Sequence, residues 1–199
     1  MLRKRVPKGV RRVLDWVVTI ALAAVFVLVF EAKVAKPYRI PTSSMEPTLH
    51  CAKPGAWCLG SFNDRVVANR LAYDISSPER GQIVVFKAPP TAALCGPGDG
   101  GTTFVKRLIG LPGDTIVERS GYFVIDGKRL NDSYVDPAFR DRQSGVWHVP
   151  AGRYFFLGDD RIHSCDSRIW GSVKRSSLIG PVIGTYWPPS RIAWNLTGW

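Results

Sequence analysis

The sequence predicts a mainly β protein in which a single N-terminal transmembrane helix precedes a β-rich domain. One apolar run near the N-terminus is long enough to cross a bilayer, and short runs of Val, Ile, Phe and Tyr alternate with turn residues in the rest of the chain. The 199 residues include 19 Gly and 15 Pro, which is consistent with many turns. With 45% hydrophobic and 22% charged residues, the composition excludes a wholly disordered chain.

The first twelve residues are strongly basic. They contain six cations and no acidic residue, which is more than half of the net charge of +11. The apolar segment 13–30 follows, broken only by Asp15, and as a helix it spans about 27 Å, close to the bilayer hydrocarbon thickness. Because positive charge stays inside, we expect a cytoplasmic segment over 1–12, an anchor over 13–30 and an extracytoplasmic catalytic domain over 31–199.

Two other roles for the apolar segment fit less well. A removable signal peptide needs small residues at −3 and −1 before its cleavage site. Cleavage after Ala32 places Phe30 at −3, and cleavage after Ala35 places Lys33 there. A buried core helix is disfavoured because the segment is apolar on every face and charges flank it. We therefore expect an uncleaved anchor.

Short strands are expected through the domain that follows. They comprise residues 38–40, 82–86, 104–109, 115–118, 122–125, 154–157 and 178–186. The Asp126-Gly127 pair between two apolar runs indicates a hairpin. Residues 64–73 and 173–178 are expected to form short helices, and residues 88–103 a mobile loop.

Four cysteines lie in this domain, Cys51, Cys58, Cys95 and Cys165. They allow three disulfide pairings. The first two are close enough to close a small loop, which leaves the other two as a pair; four free thiols are the alternative. No C-x-x-C motif is present and the three histidines are scattered, so we expect no metal site and no cofactor.

A turn just beyond the anchor contains the first candidate for chemistry. Ser44 lies between Pro41 and Pro47, which restrict the backbone on both sides and can hold an oriented hydroxyl. Most Ser-rich turns are structural, and the chain contains neither G-x-S-x-G nor S-x-x-K. A Ser-His-Asp triad is possible with three histidines, but no local signature supports one.

Lys106 interrupts an apolar strand. By alternation it shares a face with Phe104 and Leu108, whereas Val105 and Ile109 point the other way. An ammonium group among apolar side chains loses hydration, which favours the neutral amine and therefore a general base. The structural alternative is a lysine whose stem packs while its head reaches solvent.

Four segments together resemble the type I signal peptidases, the membrane-anchored Ser/Lys endopeptidases. The motifs are S-M-x-P-T within residues 39–48, R-G-x-I-V-V-F-K within 80–89, K-R-x-x-G-L-P-G-D within 104–114 and G-D-x-R-x-x-S-x-D-S-R-x-W-G within 158–171. Their order, their spacing and the preceding anchor all match that family. The resemblance implies a β-rich catalytic domain that removes signal peptides from exported preproteins.

The resemblance also implies roles for individual residues. Ser44 is then the nucleophile, Lys106 the general base, and Ser164 the hydroxyl that orients the lysine. Thr42 matches a position that in some members donates its hydroxyl to the oxyanion hole, where the backbone N–H of Ser44 is the other donor. Two residues match the structural ion pair near the site, Asp166 and Arg168.

The chain departs from the family pattern at several positions. Asp160 stands where many members have Asn, which adds a negative charge near the site. His163 and Cys165 occupy variable positions. The segment 115–157 is short, so the accessory β-region of larger members is expected to be reduced.

The expected substrate is the extracytoplasmic end of a signal peptide with small residues at −1 and −3, extended against an exposed strand edge. The expected pocket walls are Ile40, Met45, Ile83, Val84 and Phe104. Three C-terminal indoles form either core or a patch that contacts membrane lipid, Trp187, Trp194 and Trp199.

Three other classes of protein fit the sequence less well. A self-cleaving Ser/Lys repressor needs an N-terminal DNA-binding domain, but this chain has an apolar span there. A non-catalytic membrane-tethered adaptor would not need Ser44, Lys106 and Ser164. All three are present, which argues against this class. A nucleic-acid binder would spread its positive charge along one face, whereas here the charge is concentrated at the N-terminus, so we expect no nucleic-acid partner.

Overall fold

The computed structural model describes residues 8–96 and 100–196. Helix α1 extends over Lys8–Lys33 and contains the predicted anchor. Its segment Gly9–Phe30 is long and apolar enough to cross a membrane, and its side chains are exposed instead of packed on the domain. Only Val34 separates α1 from the first strand, so the helix runs directly into the β domain.

The domain is mainly β, as predicted. The strands of the described residues are β1 Ala35–Arg39, β2 Arg65–Asn69, β3 Ile83–Lys87, β4 Thr103–Gly110, β5 Thr115–Arg119, β6 Tyr122–Ile125, β7 Lys128–Arg129, β8 Gly145–His148, β9 Arg153–Leu157, β10 Val173–Lys174, β11 Leu178–Trp187 and β12 Ala193–Trp194. All pairings among these strands are antiparallel. The Asp126-Gly127 turn joins β6 to β7, as the hairpin signal predicted.

The strands form two sheets. The larger sheet has the order β1-β2-β11-β3-β4-β9-β10, with β12 paired to β11, and the smaller sheet has the order β7-β6-β5-β8. Strand β3 is buried on both faces, because Val84 and Phe86 pack into one apolar cluster while Ile83 and Val85 pack into another. This two-sided burial explains its unbroken apolar sequence. A third cluster, which includes Ile109, joins the two sheets.

Both predicted helices are largely wrong. Half of residues 64–73 form strand β2, because Val66 and Ala68 alternate into the core and the strand pairs with β1 and β11. The short helix α2 covers only Ala72–Ile75. Residues 173–178 form β10 and then a single turn, Arg175–Ser177. Pairing with neighbouring strands therefore overrides the local preference in both segments.

The two disulfides are Cys51–Cys58 and Cys95–Cys165, the pairing favoured by the sequence spacing. The second one ties the loop of residues 88–103 to the domain. A turn at Pro90–Leu94 lies within that loop, and its Thr91 hydroxyl donates to the Trp170 carbonyl at 2.8 Å. Residues 97–99 of the loop lie outside the described residues.

Two of the three C-terminal indoles do not form core. Trp187 is 39% exposed and Trp194 is 62% exposed, and the two lie on the paired strands β11 and β12. Trp199 lies outside the described residues.

Candidate active site

Ser44 lies in a single helical turn, Ser43–Met45, between β1 and β2. The Met45 side chain is buried in the apolar core, and the Ser44 carbonyl accepts a hydrogen bond from the Asp160 N–H at 3.3 Å. Thr42 has an extended backbone, and its hydroxyl lies 3.5 Å from the Ser44 hydroxyl. These contacts hold the turn between Pro41 and Pro47, and Ser44 is buried, with 8% of its surface exposed.

Glu46 anchors the segment that follows the Ser44 turn. Its buried carboxylate accepts hydrogen bonds from the backbone N–H groups of Cys51 and Leu59, each at 3.0 Å. It also contacts the His50 ring nitrogen Nδ1. A carboxylate that accepts several backbone bonds orders a loop firmly. The loop closed by the Cys51–Cys58 disulfide is thereby fixed to the Ser44 turn.

Lys106 is buried in the first half of β4. Its Nζ atom donates a hydrogen bond of 3.1 Å to the Ser164 hydroxyl and lies 5.9 Å from the centre of the Phe104 ring. Burial lowers the pKa of Lys106 to about 8, although the Asp166 carboxylate opposes this shift. Leu108 lies in the same apolar cluster as Phe104, whereas Val105 packs on the other side, as the alternation predicted.

A cavity of about 440 Å³ brings these groups together. Its walls include Thr42, Ser44 and Lys106, and His163 of the loop that follows β9 also lines it. In the described part of the chain, no direct hydrogen bond joins Ser44 to Lys106. Catalytic hydrogen bonds are often long or poorly aligned before substrate binds.

Gly158 allows the Ser44 turn and the Ser164 loop to approach closely. A Cβ atom at this position would lie 2.2 Å from the Ser164 Oγ and 2.3 Å from the Ser44 carbonyl oxygen. Only glycine fits between these two groups without a shift of the backbone.

Asp166 and Arg168 form an ion pair at the start of the short helix α3, Ser167–Trp170. The guanidinium donates from Nε at 2.8 Å and from Nη2 at 2.9 Å to the two carboxylate oxygens. The same carboxylate accepts the Gly158 N–H at 3.2 Å. Burial opposes the charge of Arg168, yet Asp166 and other carboxylates raise its pKa. This pair therefore holds the two ends of the loop 158–168 together.

Arg168 also connects the loop to the smaller sheet. Its Nη1 atom contacts Asp141 and lies 3.5 Å from the Glu118 carboxylate on β5. Burial raises the pKa of Glu118 to about 7, although Arg168 opposes this shift. The smaller sheet thus supports the site through charged groups and not only through apolar contacts.

A second buried ion pair lies on the opposite face of β4. Arg107 donates to Asp159 from Nε at 2.9 Å and from Nη2 at 2.7 Å. Burial opposes the charge, but the Asp159 carboxylate raises the pKa of Arg107. The Thr48 hydroxyl donates to the same carboxylate at 2.6 Å. This carboxylate connects the segment after Ser44, strand β4 and the loop after β9.

The two unusual positions of the last motif interact with each other. The Asp160 carboxylate is fully buried and accepts the His163 N–H at 3.0 Å. It also lies 2.9 Å from the His163 ring nitrogen Nδ1. The imidazole stacks on the Trp57 ring, with ring centres 4.1 Å apart and planes 15° from parallel.

Comparisons with known proteins agree with this geometry. The family model "Signal peptidase, peptidase S26" matches residues 13–187. A signal peptidase I of Leptolyngbya laminosa is 35% identical over 187 residues, which cover 94% of this chain and 85% of that protein. A probable signal peptidase I-2 of Synechocystis sp. is 37% identical over 176 residues, covering 87% of this chain and 73% of that protein.

This chain belongs to the signal peptidase family, peptidase S26. A crystal structure of a signal peptidase I from Enterococcus faecalis aligns with 54% of this chain and 97% of that chain, at 34% identity and a TM-score of 0.45. Membership of the signal peptidase family makes the protein a serine peptidase that removes signal peptides. The apolar helix α1 is consistent with membrane anchoring.

The predicted pocket walls of this signal peptidase are partly wrong. Ile40, Met45 and Phe104 line the cavity. Ile83 and Val84 do not, because they lie on β3, behind β4, with their side chains in the two apolar clusters.

Sequence reasoning missed several groups that organise this signal peptidase site. Glu46, Arg107 and Asp159 are buried charges, and Trp57 is 63% exposed beside the cavity. Glu46 and Asp159 lie inside two of the four motifs, and that position could have indicated that they belong to the site. Trp57 lies outside every motif, so only its place in the disulfide loop pointed to it.

Proposed function

We propose that Ser44 and Lys106 form the catalytic dyad of this signal peptidase. The environment of Lys106 is the observation that carries the proposal. Its amine is buried, has a pKa of about 8 and donates a hydrogen bond to Ser164. Lys106 also lines the same cavity as Ser44. A serine hydroxyl is a weak nucleophile until a neighbouring base accepts its proton. A lysine can be that base only when it is neutral, and desolvation favours the neutral form.

The reaction follows the logic of other serine peptidases. Neutral Lys106 accepts the proton of the Ser44 hydroxyl while Oγ attacks the scissile carbonyl carbon. The lysine then gives this proton to the leaving amine as the peptide bond breaks, and an ester to Ser44 remains. Water hydrolyses the ester, with Lys106 again acting as the base. Ser164 accepts one Nζ–H and so directs the amine into the cavity.

The oxyanion of the tetrahedral intermediate needs two donors. The Thr42 hydroxyl lies 3.5 Å from the Ser44 hydroxyl, on the cavity wall. The Ser44 N–H has no hydrogen-bond acceptor among the described residues, which leaves it available to the substrate. We assign these two groups to the oxyanion hole. We assign Asp166 and Arg168 a structural role, which is to hold the loop 158–168 in place.

Two free strand edges suit an extended substrate. Strand β1 lies at the end of the larger sheet and pairs only with β2 in the described chain. Strand β4 pairs with β9 only from Arg107 onward, so residues Thr103 to Lys106 leave one edge open. Both edges line the cavity, where a peptide can add as a strand. Ile40, Met45 and Phe104 then form shallow apolar pockets for small residues at −1 and −3.

The membrane topology follows from charge and hydropathy. Residues 1–12 lie in the cytoplasm, residues 13–30 cross the membrane, and residues 31–199 lie outside it. The exposed Trp187 and Trp194 suit contact with the lipid interface.

A processing assay tests this function. The full chain in detergent should cleave a preprotein after the small −1 residue, and Ser44→Ala should not. Protease added outside intact spheroplasts should digest the domain at residues 31–199. Protection of that domain until lysis would invert the topology and contradict the proposal.

A further inference from the structure

The cavity has two unlike kinds of wall. The open edge of β4 extends from Lys106 towards Thr103, and it stops at Arg107, where Leu157 of β9 pairs with the strand. The chain leaves β9 at Leu157 and forms the loop that contains His163. Residues Thr103 to Lys106 therefore present a free strand edge to the cavity, whereas His163 lines the cavity without belonging to a strand.

These two kinds of wall suit different parts of the substrate. The residues at −1 and −3 require the strand edges and apolar pockets. The wall that is not a strand edge is then left for the residues after the scissile bond. That wall includes His163, and the Trp57 ring stacks against it.

Two sets of contacts connect Trp57 to the Ser44 turn, one through its own disulfide loop and one through His163. Glu46 binds the two backbone N–H groups that flank Trp57 in the sequence, and the Cys51–Cys58 disulfide closes the loop. The indole stacks on His163, His163 bonds to Asp160, and the Asp160 N–H donates to the Ser44 carbonyl.

The ring is also placed to bind something. One face of Trp57 is covered by His163, yet 63% of the residue remains exposed. Its backbone has a φ of 63°, a left-handed conformation that is uncommon for a bulky residue. An exposed indole in an unfavourable conformation, fixed beside a catalytic cavity, points to a function that benefits from it.

We propose that Trp57, supported by His163, is the specificity wall for the first two residues of the mature chain and favours planar side chains there. Phe, Tyr and Arg present flat groups that stack on an indole face, and small aliphatic residues do not. This inference rests on the proposed function, because it uses the assignment of the −1 and −3 residues to the strand edges.

The test uses the full chain in detergent and a set of peptides. All peptides share one signal-peptide end with Ala at −3 and −1, and they carry Ala, Phe, Tyr or Arg at +1 or +2. The ratio of kcat/KM for a planar residue to that for Ala is measured within each enzyme preparation, so it does not depend on the folded fraction. We expect a ratio of about five in the wild type at one of the two positions, from stacking of this kind.

Variants separate a specificity role from a structural one. Trp57→Ala should reduce the ratio to about one, and Trp57→Phe should restore part of it. Phe62→Ala, which removes an exposed aromatic ring outside the cavity, should keep the wild-type ratio.

Other outcomes overturn the proposal in distinguishable ways. An equal loss of activity on all peptides in Trp57→Ala, with the ratio kept, would make the indole a structural support only. A wild-type ratio of one would show that the wall does not select. Absence of cleavage after the −1 Ala in every peptide would refute the proposed function itself.

Discussion

The Nζ atom of Lys106 lies 3.1 Å from the hydroxyl of Ser164, although the two residues are 58 positions apart in the sequence. One is on strand β4 and the other is in the loop after β9, and Arg107↔Leu157 pairing brings these elements together. Because the amine is buried and its hydrogen bond is to a neutral group, nothing in this contact forces it to stay charged.

Replacement of either member of the dyad should abolish processing without unfolding the protein. We expect Ser44→Ala and Lys106→Ala each to lower kcat by at least about a thousandfold, because neither group works without the other. Preprotein cleavage measures the rate, and a thermal melt checks folding. If Lys106→Ala kept near-normal turnover, another base would be needed, with His50, His148 and His163 as candidates.

Activity should rise with pH and level off above about 8, the pKa of Lys106. Below that pH the amine is mostly protonated and cannot accept the Ser44 proton, so kcat/KM should fall about tenfold per pH unit. Above it the free amine predominates. The measurement is a kcat/KM profile from pH 6 to 10 with a folding check at each pH. A profile that peaks in acid and declines above neutrality would indicate a carboxylate base instead.

Thr42 should contribute to the transition state more than to substrate binding. Thr42→Val keeps the shape of the side chain but removes the hydroxyl, and we expect kcat to fall by about 10²-fold with little change in KM. Thr42→Ser restores the hydroxyl and should recover most of the rate. An increase in KM with kcat unchanged would assign Thr42 to ground-state binding.

Gly158→Ala should disrupt the site, since the new methyl group would collide with the Ser44 carbonyl and the Ser164 hydroxyl. Overpacking of this kind costs about 1–3 kcal/mol of unfolding free energy, and we expect activity to be lost along with it. The control is Gly127→Ala, which has a positive φ but open space around its Cβ position. That variant should lose some stability and keep its activity. Equal activity in both variants would refute the steric argument.

Arg168→Lys should destabilise the loop 158–168 although it keeps the positive charge. A lysine cannot make the two parallel hydrogen bonds to Asp166 or reach the Arg161 carbonyl, which Arg168 Nη2 contacts at 2.7 Å. Breaking such a buried network costs about 3 kcal/mol, so both the melting temperature and kcat should fall. Arg129→Lys, on an exposed hairpin, is the control. An unchanged melting temperature in Arg168→Lys would mean that the pair is not structural.

Much of this architecture could be predicted from the sequence. The apolar helix, the strands with two-sided burial and the hairpin at Asp126-Gly127 depend on local composition and periodicity, which a sequence displays directly. The alternation around Lys106 also followed from spacing. Spacing favoured the observed disulfide pairing but left four free thiols as an alternative, which only the structure decided. The prediction for segment 64–73 failed because a short helix and a short strand have similar local signals, and pairing with β1 and β11 decides between them.

The sequence by itself determined which residues are available for chemistry: a constrained serine turn, a lysine in an apolar strand and a polar loop with an Asp–Arg pair. Only the tertiary structure decided that Asp160 and His163 bond to each other, that Glu46 fixes the disulfide loop, and that Trp57 stands beside the cavity. The Trp57 and His163 rings belong to segments far apart in the sequence, so their stacking depends on how the sheet places the two loops. The bonds of Asp160 to His163 and of Glu46 to Cys51 are short in sequence, but they depend on loop conformations that no periodic pattern displays. Burial and the pKa of a group are properties of that packing, so no local pattern can display them.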